Sequence, residues 1–234
     1  MARNYNNEVS AIISAVWSDR ESKNVPSTES VKLAGGAVYT DATFLYSDLA
    51  RSTELVEQLD HRVAAKLIKS FVQCSVHLIQ EAGGKVISFD GDRTLGVFAG
   101  SFRNSTAVEC GLKIKFVLNR IIDPKFRQKY PQTVGFQPPL SHCVGIDTGK
   151  VFVVRAGARG QNDLLTIGSP ANLAAKLSDL RDGQYNTYIT PAVYKAINER
   201  AKFSNGVNMW EQVTRAIGGK NLTAYRSSYY WAVD

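Results

Sequence analysis

The stretch SFDGDRTLGVFA, residues 88–99, decides how this chain folds. Two apolar runs flank Asp90-Gly91-Asp92, and that pattern predicts a β-hairpin. The turn explains the glycine. It does not explain two carboxylates beside a packed sheet. Upstream, Gly83-Gly84 closes a helical run, HRVAAKLIKSFVQCSVHLIQEA (61–82). Before that, STELVEQLD (52–60) opens a helix, with Ser52 or Thr53 as cap and Glu54 and Glu57 suited to its positive end. ATFLYSDL (42–49) reads as a strand, and downstream STAVECGLKIKFVLNRII (105–122) reads as an amphipathic helix. The order β-α-β-β-α-β is ferredoxin-like. The fold class is therefore α+β, with helices packed on one face of a mainly antiparallel sheet.

The flanks are less regular. NNEVSAIISAVWSDR (6–20) has helical spacing, and ESKNVPSTESVKLAGGAVY (21–39) reads as linker, so residues 1–38 form a helix and linker ahead of a domain over 39–234. DPKFRQKYPQTVGFQPP (123–139) reads as a loop. LSHCVGIDTGKVFVVRAG (140–157) reads as a second hairpin turning near Asp147–Gly149. DLLTIG (163–168), NTYIT (186–190) and LTAYRSSYYWAV (222–233) read as strands. SPANLAAKLSDL (169–180), with Pro170 in its first turn, and PAVYKAINERA (191–201) read as helices.

Composition narrows the function classes. Of 234 residues, 28 are Lys or Arg and 21 are Asp or Glu, a formal charge of +7. That excess suits a polyanionic ligand such as a triphosphate or weak nucleic-acid binding, and no basic run is dense enough for a nucleic-acid tail. Cys74, Cys110 and Cys143 make neither a metal spacing nor a disulfide framework, so the expected compartment is the reducing cytoplasm. His61, His77 and His142 are equally scattered. No apolar run approaches the roughly 20 residues of a membrane helix.

In a ferredoxin-like sheet the first strand neighbours the hairpin, so Asp48 and Asp92 can converge. Two carboxylates at one sheet edge repel unless a cation lies between them, and Mg²⁺ takes oxygen ligands from carboxylates and substrate phosphates. On spacing alone a simpler reading stands beside this one: Asp48 caps the next helix and Asp92 serves the turn.

Four ordered motifs shift the balance. FLYSDLARSTEL (44–55), GGKVISFDGDRTLGVFAG (83–100), CVGIDTGKVFV (143–153) and LLTIGSPANLAAKL (164–177) together resemble the class III nucleotidyl cyclases over residues 42–190. The resemblance implies two divalent cations, Mg²⁺ or Mn²⁺, held by Asp48, Asp92 and the carbonyl of Leu49. It implies that Asn172 and Lys176 stabilise the transition state, with Lys176 standing where the family has arginine. The family's arginine before VGI is absent, since Cys143 stands there, so Arg51 or Lys220 is the expected cation on the pyrophosphate. It also implies a homodimer with its active sites at the interface, acting on a nucleoside triphosphate, with neither nucleic acid nor membrane as partner.

The purine-reading positions of the family are Ser88 and Leu165, with Thr166 next to the latter, and none carries the family's usual residue. Phe44 and Tyr46 alternate with Asp48, and Asp90 with Asp92, on one predicted face. Tyrosine at 46, where the family commonly has phenylalanine, shrinks the pocket toward a pyrimidine, and Asp90 can accept from uracil N3–H or cytosine N4–H₂. These departures resemble the pyrimidine cyclases of the bacterial antiphage system Pycsar. That resemblance implies conversion of UTP to 3′,5′-cyclic UMP, read by a separate cyclic-nucleotide-activated effector. The alternatives are a cytidylate cyclase, a divergent adenylate cyclase and a catalytically silent nucleotide-binding regulator.

Overall fold

The computed structural model describes residues 4–131, 140–158, 160–217 and 219–233. The hairpin forms as the sequence dictates. β3 (Lys85–Asp90) and β4 (Arg93–Phe98) pair across a turn in which Gly91 takes φ +59°, a left-handed conformation that a Cβ disfavours. β2 (Gly36–Leu49) lies antiparallel to β4 on one side and to β5 (His142–Ala158) on the other. The strands β5-β2-β4-β3 sit side by side, which is the ferredoxin-like order. α2 (Ser52–Gln58) and α3 (His61–Glu81) connect β2 to β3, and α4 (Arg103–Phe116) leads back toward β5.

Among the described residues the sheet has nine strands. β7 (Thr187–Ile189), β11 (Lys220–Ser227) and β10 (Glu211–Ile217) extend it beyond β5. β1 (Ser18–Ser22) pairs with the first half of β2, and β6 (Gln161–Ile167) with the second half of β5. Among the described residues only β1–β2 and β5–β7 are parallel, so the sheet is mainly antiparallel as expected.

Alternation along β2 builds two cores. Leu45 and Leu49 join Leu67, Phe71 and Ile79 of α3 and Val108, Leu112 and Ile114 of α4 in the larger core. Ala42 and Phe44 point the other way and pack with Leu95, Val97, Val151, Val153 and Ala174. Ala174 belongs to α6 (Ser169–Ser178), so one helix lies on the face opposite α3 and α4, and the expectation that all helices share a face is corrected. α6 sits tight on the sheet at Gly145, where an added Cβ would fall 2.1 Å from the Ala174 carbonyl oxygen. α7 (Pro191–Ala196) and α8 (Glu199–Lys202) return to the larger core through Val193 and Ala201. A two-stranded ribbon, β8 (Phe203–Ser204) with β9 (Val207–Asn208), follows.

Other local expectations are also corrected. The first helix, α1 (Tyr5–Ser14), stops short of residue 20, and Ser18–Ser22 instead pairs in parallel with Gly36–Thr40. Arg51, in left-handed backbone at φ 59°, occupies the N-cap of α2, so Ser52 and Thr53 lie inside the helix rather than capping it. α5 (Asp123–Lys129) is helical where a loop was expected, with Pro124 in the first turn and an Arg127–Asp123 ion pair at 2.9 Å closing it. It continues from α4 through a π-helical stretch at Val117–Ile122. Residues 132–139 of that expected loop lie outside the described residues. The hairpin expected at Asp147–Gly149 does not form, because β5 runs unbroken along β2 from His142 to Val154. Asp147 looks like a turn residue, but it is buried and accepts a 2.6 Å hydrogen bond from the Thr190 hydroxyl. Tertiary pairing thus overrides the local turn signal. β10 was not foreseen.

Candidate active site

The register of the sheet collects the site. Tyr46 pairs with Leu95 and Asp48 with Arg93 across β2–β4, while Ser88 pairs with Leu95 and Asp90 with Arg93 across β3–β4. Directly paired residues share a face. Phe44, Tyr46, Asp48, Ser88, Asp90 and Arg93 therefore line one surface, the surface α6 covers. The irregularity between Val86 and Ser88 sets this phase: Ile87 has no partner on β4.

Asp48 is 4% exposed and carries an ion pair on each oxygen. Arg93 Nε donates to Oδ1 at 3.0 Å, and Arg181 Nη2 donates to Oδ2 at 2.5 Å. Arg93 also holds Asp179, just beyond α6. Burial pushes the Asp48 carboxyl above its usual range and Asp92 adds to the rise, while Arg181 and Arg93 pull against it. Asp92 is thus an electrostatic neighbour of Asp48. Its Oδ2 is buried with no hydrogen-bond partner. A buried carboxylate oxygen without a donor is costly, and next to a second carboxylate it is where a cation fits. Among the described residues no three His, Cys, Asp or Glu side chains cluster to hold a metal. The donors on offer are two carboxylates and backbone carbonyl oxygen, a hard set suited to Mg²⁺ or Mn²⁺ that leaves positions for phosphate oxygens. Leu49 is locked into the larger core by its side chain, which fixes the strand end that carries its carbonyl.

Tyr46 is half-buried, and burial raises its hydroxyl pKa while nearby Arg93 opposes the rise. Phe44 lies deeper, at a cavity of about 20 Å³ also lined by Thr40, Val151, Val153 and Thr166. That volume holds about one water, not a base. Ser88 and Asp90 are exposed at the sheet edge. Leu165 is 53% exposed and faces away from Thr166, its neighbour in β6.

Three expected site residues lie apart from the carboxylates. Asn172 and Lys176 are exposed one turn apart on α6, whereas Ala174, Leu177 and Ser178 face the sheet. Lys220 is exposed at the start of β11, in the β10–β11 hairpin. Arg51 pairs with Glu54 at 3.5 Å. Cys143 sits opposite Asp48 in register, but its side chain is buried in an apolar cluster with Leu177, Tyr188 and Ile217. Arg93, Asp179 and Arg181 were not singled out from sequence. Arg93 had a signal, since it follows Asp92 directly and antiparallel register sets it against Asp48. Arg181 had none, because it lies beyond a helix end and outside every motif.

The fold and this carboxylate pair define a class. The chain superposes on a guanylyl cyclase with TM-score 0.67 and 21% identity, covering 82% of this chain and 94% of that one. It superposes on the adenylyl cyclase CyaB from P. aeruginosa with TM-score 0.67 and 23% identity, covering 85% and 96%. The fold is that of the class III cyclases. A search of protein-family models finds no match. Among curated proteins, a uridylate cyclase from Rhodovulum sp. (strain MB263) is 44% identical over 227 residues, 95% of this chain and 94% of that protein. Uridylate cyclases from Xanthomonas perforans and Burkholderia cepacia are 41% and 35% identical, each over 93% of this chain and 92% of theirs. The chain belongs to the uridylate cyclase family and is a nucleotidyl cyclase.

Proposed function

We propose that this enzyme converts UTP to 3′,5′-cyclic UMP and pyrophosphate, with divalent cations at Asp48 and Asp92, and that the product is an antiphage signal read by a separate effector. The observation that carries the metal assignment is the unpartnered, buried Asp92 Oδ2 beside Asp48. The choice of base is supported by the uridylate cyclase relatives and by Tyr46 on the Asp48 face.

In the reaction the ribose 3′-oxygen attacks the α-phosphorus in line, the 3′-O–P bond forms, the bond to the bridging α,β-oxygen breaks, and pyrophosphate leaves. Asp48 and Asp92 would hold the divalent cations, which when bound would supply Lewis acidity toward the 3′-hydroxyl and positive charge for the triphosphate. Asp48 and Asp92 hold the charge that keeps cations in place. Tyr46 walls the base side, with the buried Phe44 packed behind it, and Asp90 accepts from the N–H edge of the base. Asn172 and Lys176 face away from the carboxylates of their own chain, so we assign them to the site of a second copy, where they stabilise the phosphorane. Two copies then build two sites.

The test is a product assay. The purified protein is incubated with each ribonucleoside triphosphate and Mn²⁺ or Mg²⁺, and products are identified by mass spectrometry. Cyclic UMP from UTP is expected. Cyclic CMP would change the base and keep the pocket; cyclic AMP or GMP would overturn the pyrimidine reading. For the antiphage role, bacteria carrying the enzyme and a cyclic-nucleotide-activated effector should resist phage, and Asp48→Asn should abolish that resistance.

A further inference from the structure

Asp48 offers two oxygens, and a guanidinium occupies each. A divalent cation must compete with two guanidinium charges for that carboxylate, so it binds best once an arginine lets go. The two arginines differ in what they do next. Arg93 already shares itself with Asp179 and has a second carboxylate to retreat to. Among the described residues Arg181 has no second carboxylate in contact. Its Nη1 donates instead to the backbone carbonyls of Ser178 at 2.6 Å and Leu180 at 2.9 Å. Those bonds tether the guanidinium at the C-terminal end of α6, where the free carbonyls favour positive charge. Released from Asp48, Arg181 keeps its tether and its place beside the site. It then presents a planar donor pair of the kind that binds phosphate oxygens bidentately.

We infer that Arg181 is a stand-in cation: it holds Asp48 while no metal is bound, and it transfers to the β,γ-phosphates of the substrate when metal and nucleotide arrive together. The structural feature is the ion pair Arg181–Asp48–Arg93 with Arg181 pinned to the end of α6. This rests on the nucleotide reading of the site. It makes one residue oppose metal binding and favour phosphate binding, which no purely structural salt bridge does.

The experiment separates the two effects on the full-length protein without turnover. Mn²⁺ is titrated alone, with free Mn²⁺ followed by its paramagnetic resonance signal. Pyrophosphate is then titrated at saturating Mn²⁺. For Arg181→Ala, Mn²⁺ should bind about tenfold more tightly than to wild type, because a cation beside a carboxylate shifts its proton affinity by about one to three orders of magnitude. Pyrophosphate should bind at least about tenfold more weakly. Arg181→Gln keeps a donor for the α6 carbonyls and should show both shifts, so it replaces the alanine variant if that one does not fold. Unchanged or weaker Mn²⁺ binding in the folded variant, or unchanged pyrophosphate binding, overturns the inference. Neither titration uses a base or a reaction, so a product other than cyclic UMP would end the proposed function and leave this result standing.

Discussion

Asp92 is the most exacting residue to change. Its Oδ2 has no partner in the folded chain, so Asp92→Asn removes a charge that the fold does not use. Stability should rise, by about 1 kcal/mol in urea titration, because a buried, unpartnered charge beside a second carboxylate is removed. Turnover should fall by about a thousandfold, since the charge that holds the cation is gone. Activity near wild type would refute the metal assignment. His142 makes the opposite case. It is 1% exposed, packs against Phe71, and both ring nitrogens lack partners. Burial, with Lys115 and Arg181 adding positive charge, depresses its pKa to about 3. The unfolded chain then binds the extra proton first, so stability is complete above pH 6.5 and declines as the pH falls toward 3. This group alone should cost about 2 kcal/mol at pH 5 relative to pH 7. His142→Phe should flatten that slope in thermal melts at pH 5, 6 and 7. At this scale the sequence was legible where side chains alternate on strands: Tyr46, Asp48 and Asp90 share a face because register requires it. It was illegible for His142, whose environment comes from three separate elements.

The elements show which signals survive tertiary packing. The hairpin at Asp90–Asp92 was readable because turn chemistry and pairing agree. The D-T-G of β5 was misread because β2 supplies a continuous partner and Thr190 satisfies Asp147. The helix α6 was readable from Pro170 and its periodicity, but its face was not, since that depends on Gly145, a glycine 24 residues earlier in the chain than Ser169. Gly145→Ala tests the contact. Its Cβ would meet the Ala174 oxygen at 2.1 Å and the Ser178 nitrogen at 2.5 Å, both backbone atoms that cannot rotate away. A loss of about 3 kcal/mol in denaturant unfolding is expected, with reduced activity as the end of α6 moves. An unchanged midpoint would show that α6 is not seated as described.

On the scale of the molecule, the exposed Asn172 and Lys176 stripe and the buried carboxylates occupy different surfaces of one chain. If each site draws on two copies, two inactive variants should rescue one another. Asp48→Asn mixed with Asn172→Ala in equal amounts, after subunit exchange, gives half heterodimers, each with one intact site. Cyclase activity of about a quarter of wild type is expected. No recovery, with exchange shown by native mass spectrometry, would place the whole site within one chain. The fold itself was legible at this scale because four motifs occur in order. The expectation of a two-copy assembly comes only from family resemblance. Exposure on α6 gave that expectation a physical reason.

β2 has a further consequence. Its first residues are gripped by β1 in five consecutive register pairs, Ser18↔Gly36 to Ser22↔Thr40, and its far end is Asp48. Between these points runs a single strand about 30 Å long, braced along its length by β5. α1, with Val9, Ile12 and Ile13 facing solvent, joins β1 through three residues. A pull on the front of the chain therefore does not dissipate in slack: it loads a stiff rod whose other tip is the carboxylate that two arginines hold.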